Sequence, residues 1–272
     1  MEHTRDPPWI PDLLSGMTKN DMALVKTQPE IETIARAGAI LREVLDTLKI
    51  EIKEGMTLLE LDVRARVLIE ALGGEPAFLG YKPAGATRPY PATLCTSVNN
   101  VVVHGTPTNY KLKTGDIVSI DGGVKINGWY SDAAFTVGVG TISPATKKLI
   151  SITEEALELG IAAARGGNTV GDIGNAIGTF VKKNGLYVVK GLTGHGVGKK
   201  LHEEPSIFNE GKSGSGPKLV PGMVIAIEPM VAIGTNEIVQ LADESYGTRD
   251  GSVAAHFEKT IVITNDEARV LA

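Results

Sequence analysis

Cysteine occurs once in the 272 residues, at Cys95, so no intramolecular disulfide can form and a reducing compartment suits the chain. Positive charge is not in excess. Lys and Arg number 27 against 32 Asp and Glu, for a formal net charge of -5, which gives no general basic footprint for nucleic acid or an anionic membrane. Apolar runs are short, and none approaches the roughly 18 residues that a membrane span needs. The opening residues, Met1 to Pro8, have no signal-peptide apolar region behind them. These absences set the expectation of a cytoplasmic protein with neither a membrane nor a specific nucleic acid among its partners. Several catalytic signatures are missing too. No serine sits in G-x-S-x-G, and the glycine-rich stretches match neither a P-loop nor a dinucleotide fingerprint. Cys95, within Thr93-Leu94-Cys95-Thr96-Ser97, lacks the sequence signature of an activated thiolate and reads as a small buried hydrophobe.

What the chain does have is an internal echo. Gly115-Asp116-Ile117-Val118-Ser119-Ile120-Asp121 is repeated in type by Gly222-Met223-Val224-Ile225-Ala226-Ile227-Glu228. Asp132 precedes the apolar run 133–137, as Glu258 precedes 259–263. His104-Gly105-Thr106-Pro107 is matched by His202-Glu203-Glu204-Pro205. Four carboxylates on apolar, strand-like runs are costly unless something neutralises them. Two divalent cations carry the matching charge, and a two-metal carboxylate site is suited to hydrolysis.

Helical periodicity starts at Gln28 and passes through Ile31, Ile34, Leu41, Val44, Leu45 and Leu48, with the small Gly38 on the same stripe. Thr57 and Glu60 form a capping box that opens a second helix, which Gly73-Gly74 ends. Ser143-Pro144 opens a third helix, expected to run to about Arg165, and Thr169 with Asp172 opens a fourth. Gly55, Thr57 and Leu61 recur as Gly167, Thr169 and Ile173, each 112 positions later. The expectation is an α+β fold, internally duplicated, with helices on one side of a curved, mainly antiparallel sheet. Residues 1–27 read as an N-terminal extension, from which Trp9, Ile10, Leu13 and Leu14 can dock on the body. Residues 28–272 read as a single catalytic domain of two pseudo-symmetric halves, about 28–140 and 141–272. The stretch from Phe78 to Asn100 reads as loop-rich, with a length that often carries function, and Lys212 to Pro221 reads as a surface loop.

Asn127-Gly128 is a two-residue hairpin turn. It sets Asp121 opposite Ala134, with Asp132 as its diagonal neighbour on the same face, about 7–8 Å away at Cα. His195 stands among glycines in Gly194-His195-Gly196-Val197-Gly198, where close backbone approach is permitted. His256 shares the strand face of Glu258 and so suits a supporting place beside the cluster.

The ordered set Asp121, Asp132, His195, Glu228, Glu258 resembles the five metal ligands of the methionine aminopeptidases. The resemblance extends to Val101-Val102-Val103-His104-Gly105, Gly194-His195-Gly196-Val197-Gly198, His202-Glu203-Glu204-Pro205 and Ile227-Glu228-Pro229-Met230. It runs from about Ala23 to the C-terminus and is similar to the type I branch. It implies the duplicated pita-bread fold. It also implies removal of the initiator methionine from nascent polypeptide N-termini when the second residue is small. Two divalent ions are implied, drawn from Co, Mn, Fe or Zn. Asp121 would chelate one ion, His195 and Glu228 the other, and Asp132 and Glu258 would bridge. Glu228 would also shuttle protons, while His104 and His202 would contact substrate and stabilise the oxyanion. Phe78, Tyr81, Cys95 and Leu201 would line the methionine pocket. A monomer is expected, with the ribosome as a candidate partner. Departures from the family pattern are Phe78 where a small residue is common, Leu201 where an aromatic is frequent, His256 for glutamine and Lys259 for histidine. The stretch between Tyr81 and Cys95 is longer than usual, and Tyr246 stands near a usual pocket tryptophan. Two other readings compete: a proline-specific peptidase of the same fold, and a non-catalytic binding protein built on it.

Overall fold

The structure is a computed structural model, and it describes residues 24–82 and 87–272. Four helices are present among them: α1 Gln28–Glu51, α2 Leu58–Ala71, α3 Pro144–Ala163 and α4 Val170–Lys183. Their starts follow the capping chemistry. Glu60 Oε2 accepts from the backbone of Thr57 at 2.7 Å, and the Glu60 amide donates to Thr57 Oγ1 at 3.1 Å. Asp172 repeats the arrangement at α4, accepting from the Thr169 backbone at 2.8 Å. The N-cap residues echo each other in an isolated backbone bridge as well, Thr57 to Lys111 and Thr169 to Lys218. The third helix ends at Ala163, slightly before the expected Arg165, where the Gly166 amide turns to a new partner in Thr264 O at 2.9 Å.

The strands are β1 Glu75–Pro76, β2 Leu94–Val98, β3 Val101–Val103, β4 Ile117–Ile126, β5 Trp129–Gly138, β6 Tyr187–Val188, β7 Gly194–Gly196, β8 Glu203–Ile207, β9 Val224–Ile227, β10 Met230–Ala232, β11 Ile238–Gln240, β12 Tyr246–Thr248, β13 Ala254–His256, β14 Glu258–Val262 and β15 Arg269–Val270. The main sheet runs β1-β4-β5-β14-β9-β7-β8, with β2 added on β4 and β15 on β14, and every pairing is antiparallel. Two small three-stranded sheets, β13-β10-β6 and β11-β12-β3, complete it. The loop-rich segment 78–100 contains one strand, β2, near its end. Leu94 to Val98 carries few turn residues and pairs along β4.

One face of the main sheet belongs to the helices. A Cβ on Gly122 would meet Leu41 and Leu45 of α1, and a Cβ on Gly160 of α3 would meet Ile227 of β9. The core between them includes Leu41, Leu48, Leu61, Ile120, Leu157 and Ile177, all fully buried or nearly so. Gly38 lies on the buried stripe of α1 because the C-terminus crosses there, and a Cβ would sit 2.1 Å from Leu271 O. Alternation then sends every second residue of β4, β5 and β14 to the opposite face. Most of the proposed extension, including Trp9, Ile10, Leu13 and Leu14, lies outside the described residues. Its last residues are tied down: the Lys26 amide donates to Gly222 O at 2.8 Å, and Lys26 Nζ pairs with Glu203 Oε2 at 2.8 Å.

Candidate metal centre

The sheet register brings the acidic residues together. Cys95 of β2 pairs with Asp121, Asp121 with Ala134, and Ala134 with Glu258, so one rung crosses four strands. Residues directly opposite in a ladder project to the same face. Asp132, two positions before Ala134, shares that face, and Gly123 rather than Asp121 is its direct partner. On the far side, Thr260 of β14 pairs with Ala226 of β9, and Ala226 with His195 of β7. Lys259 pairs with Ile227, which brings Glu228 up beside Glu258.

His195 reaches the cluster because its flanking glycines let three strands crowd together. A Cβ on Gly194 would lie 2.3 Å from Ala226 O, and one on Gly196 would lie 2.1 Å from Glu204 O. The imidazole is oriented by its neighbour: Nδ1 lies 2.9 Å from Gly196 O. A carbonyl only accepts, so Nδ1 carries the proton and Nε2 presents its lone pair. That Nε2 is 3.6 Å from Glu228 Oε1 and 3.8 Å from Asp132 Oδ2 and from Glu258 Oε1.

Two triads emerge. Asp121, Asp132 and Glu258 offer oxygens that lie within 4.8 Å of one another, and His195, Glu228 and Glu258 do the same, with Glu258 common to both. A third grouping joins Asp132, His195 and His202. Asp121 Oδ1, Asp132 Oδ1 and Glu258 Oε1 are buried and have no hydrogen-bond partner among the described residues. Buried carboxylate oxygens without partners are strongly disfavoured. A divalent cation satisfies them, and oxygens with one imidazole form a donor set that such ions accept. The residues therefore fit a metal centre.

Electrostatics agree with that fit. Burial pushes the Asp121 carboxyl up to about 7, reinforced by the nearby Glu228 charge. Asp132 is raised well above its ordinary value by burial and by Asp121 and Glu228. Glu258 is raised in the same way, by burial and then by Asp132 and Glu228. Glu228 goes the other way. Burial opposes its charge, yet the close approach of the His256 imidazole and the neighbouring His195 and His202 rings outweigh burial and hold it below the usual carboxylate value. His256, almost wholly buried, has Nε2 3.4 Å from Glu228 Oε2. Burial lowers its pKa, but Glu228 and Asp121 raise it further, so the net shift is upward. Its expected place beside the acidic cluster is where the structure puts it.

The cluster forms the floor of a cavity of about 1230 Å³, and all eleven residues singled out as site candidates line that cavity. His104 takes a left-handed backbone conformation, φ 62°, which is unusual for a residue with a side chain and marks a constrained position. The next residue must be glycine, because a Cβ on Gly105 would lie 2.3 Å from Thr96 O. His202 lines the cavity and is exposed there. The protein mass around it, together with His195, pushes its pKa down to about 4, so it is neutral at pH 7. Its ring stands edge-on to that of His195, with centroids 4.4 Å apart.

Phe78, Cys95 and Leu201 pack with Ala77 in one buried apolar cluster, against Tyr81, Tyr90 and Tyr130. Burial, followed by the Asp121 charge, drives the Cys95 thiol well above its ordinary pKa, which disfavours a thiolate nucleophile. Tyr90 escaped the sequence reading. It closes this pocket, edge-on to Phe78, and its hydroxyl lies 3.0 Å from the carbonyls of Leu94 and Gly105. Nothing local marked it, since it sits in a proline-rich stretch without periodicity. Leu24 at the cavity edge was missed for a similar reason.

A sheet-borne cage of four carboxylates and one imidazole, opening on a cavity beside an apolar pocket, defines a metal-dependent hydrolase of the pita-bread fold. The family description "Metallopeptidase family M24" matches residues 32–265, and this chain belongs to that family. The chain is 46% identical over 251 residues to a methionine aminopeptidase of Clostridium perfringens, covering 92% of this chain and 98% of the relative. It is 43% identical over 244 residues to methionine aminopeptidase 1 of Bacillus subtilis, covering 89% and 96%. Among solved structures, the methionine aminopeptidase of Rickettsia prowazekii superposes with a TM-score of 0.86 at 36% identity, covering 91% of this chain and 98% of that one. The prolidase of Pyrococcus furiosus superposes at 0.74 with 26% identity; 92% of this chain covers only 66% of that one. No helix among the described residues is long and apolar enough to cross a membrane.

Proposed function

We propose that this protein hydrolyses the first peptide bond of polypeptides that begin with methionine and have a small second residue, using two divalent ions. Two ligand triads sharing Glu258, in a cavity walled on one side by the apolar cluster of Phe78, Cys95 and Leu201, carry this reading. Asp121 and Asp132 would hold one ion and His195 and Glu228 the other, with Asp132 and Glu258 common to both. When bound, such ions acidify water and polarise the scissile carbonyl.

The chain's own groups supply the rest. Glu228, kept ionised by His256 and the other imidazoles, takes a proton from the attacking water and returns it to the leaving amine. His202, neutral and facing the cavity, donates to the oxygen on which charge develops, with His104 binding the substrate beside it. The pocket of Phe78, Tyr90, Cys95 and Leu201 offers an apolar, partly aromatic wall to the flexible thioether of methionine. Residues 28–272 would act as one catalytic domain of two halves, in the cytoplasm, as a monomer, on nascent chain N-termini.

The test is a peptide series with and without chelator. Met-Ala-Ser should be cleaved, Met-Leu-Ser spared and chelated enzyme silent. Release from Xaa-Pro peptides instead would replace this reading with a proline-specific one, and silence with every added metal would favour a binding protein.

A further inference from the structure

The geometry points to Tyr81 as a positioning residue that fixes the tautomer of His202, a role distinct from lining a methionine pocket; the inference rests on the reading of His202 as the substrate-facing donor. Tyr81 Oη lies 2.8 Å from His202 Nδ1. The two rings are 5.3 Å apart at their centroids and tilted by 57°. Among the described residues this is the hydroxyl's only side-chain partner, and it is the only hydrogen-bond partner of the His202 ring.

Two pairings are chemically open. A neutral imidazole has one donor nitrogen and one acceptor nitrogen, and a phenol can give or take. The phenol oxygen shares its lone pair with the ring, so it accepts weakly. Its hydroxyl donates well, and an unprotonated imidazole nitrogen is the strongest neutral acceptor among the side chains. The pairing in which Tyr81 donates to Nδ1 therefore joins the better donor to the better acceptor. The reverse pairing leaves the phenol proton without a partner. With Nδ1 held as acceptor, the ring proton sits on Nε2, the nitrogen left to the cavity.

Two consequences follow for this chain. An Nε2–H points a donor where negative charge develops, whereas the other tautomer would point a lone pair at it. The same proton also keeps His202 out of the ligand set. His202 offers a ring nitrogen within 4.8 Å of ligand atoms of Asp132 and His195, close enough to form a third triad. Neither ring nitrogen is then free for a cation: Nε2 carries the proton, and the lone pair of Nδ1 is taken by the Tyr81 hydroxyl. His195 is locked by the same logic through Gly196 O at 2.9 Å, but there the proton is on Nδ1 and the lone pair of Nε2 is free for a metal. Both rings carry their proton on one known nitrogen: His195 uses its Nδ1 proton to free Nε2 as a ligand, and His202 uses its Nδ1 acceptor to make Nε2 a donor. Among the described residues His104 has no comparable lock. Its ring meets Tyr246 edge-on, with centroids 5.9 Å apart.

The experiment is nitrogen-15 NMR of the imidazoles in the zinc-loaded protein, with His202 assigned by its absence in His202→Ala, alongside steady-state kinetics of Tyr81→Phe. The phenylalanine keeps the ring and removes only the hydroxyl. The wild type should show His202 as a single Nε2–H tautomer, and Tyr81→Phe should show a mixture. Its kcat should fall about fivefold to tenfold with KM little changed, the scale of one lost neutral hydrogen bond. A wild-type His202 protonated at Nδ1, or an unaltered Nε2–H signature in Tyr81→Phe, would overturn the assignment. The wild-type spectrum alone tests the tautomer even if the variant folds poorly. An unchanged kcat in His202→Ala would end the donor reading of His202 alone, because the spectra decide separately whether Tyr81 sets its tautomer.

Discussion

Asp121 and Glu258 face Ala134 from opposite sides on a single rung of the main sheet, though 137 residues separate them in the chain. A ladder that pairs both with the same small residue puts their carboxylates on one face with only a methyl group between. Asp132, one step along that face, completes a triad with oxygens within 4.8 Å of one another. The cage therefore depends on strand register, and a one-residue slip of β14 would turn Glu258 into the helix layer.

Asp132→Asn should lower divalent-metal affinity by at least about 100-fold, more than the 10–100-fold typical of losing a supporting partner. The amide keeps the shape of the carboxylate but loses its charge. The β4–β5 hairpin should persist, so circular dichroism should match the wild type while metal analysis does not. Full metal content with normal turnover would remove Asp132 from the ligand set.

The metal-free protein should lose stability as pH rises. Asp121 moves from an ordinary 3.8 to about 7 on folding, so the folded state holds its proton more tightly than the unfolded one. That contribution is fully present below about pH 4 and is lost as pH rises through about 7. Asp132 and Glu258, raised in the same direction by burial, add to the decline, and Glu228 with its lowered pKa opposes part of it. Metal displaces those protons, so its affinity should climb over the same range. Thermal melts of chelated protein from pH 5 to 8 should show Tm falling, and added metal should recover most of it at pH 8. A chelated protein that grew more stable toward pH 8 would contradict the raised carboxylates.

Gly196→Ala should destabilise the fold and weaken metal binding together. The added Cβ would lie 2.1 Å from Glu204 O, a backbone atom that cannot swing aside. Overpacking of this kind costs about 1–3 kcal/mol. Relief requires β7 to move off β8, which carries His195 away from Glu228. Denaturant unfolding and metal titration on one preparation check both; unchanged metal affinity would show that His195 is held by something other than the crowded glycines.

Much of this site could be read from the chain because its signals are local. The Asn127-Gly128 turn sets the β4–β5 register from its own two residues, so the diagonal placement of Asp121 and Asp132 follows by counting. The capping boxes at Thr57 and Thr169 likewise mark α2 and α4. The pairing of Ala134 with Glu258 has no local signal, because it joins strands over 120 residues apart, and only the repetition of acidic strand ends hinted at it. Tyr90 and the Tyr81–His202 contact were hidden for a different reason. Both lie at the ends of a proline-rich stretch that carries no periodicity to place them. Tyr81 was expected only as a pocket wall; the structure adds a hydrogen bond that composition and spacing do not encode.

Cys95→Ser should keep substantial activity. Cys95 faces the cage on the same rung as Asp121, but its thiol is held protonated by burial and packs in the apolar cluster with Phe78 and Leu201. Serine is smaller and more polar, so KM for methionyl peptides should rise a few-fold, on the scale of a lost methylene contact of about 1 kcal/mol. A folded, metal-loaded serine variant without turnover would give the thiol a chemical role.

His202→Ala separates a donor from a ligand. The two triads of carboxylates and His195 are complete without His202, although its ring nitrogen is near enough to join a third. If Nε2 carries a proton, removing the ring takes nothing from the metal, and ion content should stay close to that of the wild type. What is lost is a donor whose contact strengthens as charge builds on the carbonyl oxygen. Such a loss falls on kcat more than on KM, and one donor is typically worth about 10²–10³ in kcat. Metal analysis and steady-state kinetics on the same purified variant decide the matter. Loss of an ion would make His202 a ligand, and normal kcat with full metal would leave His104 as the only histidine in the substrate-binding role.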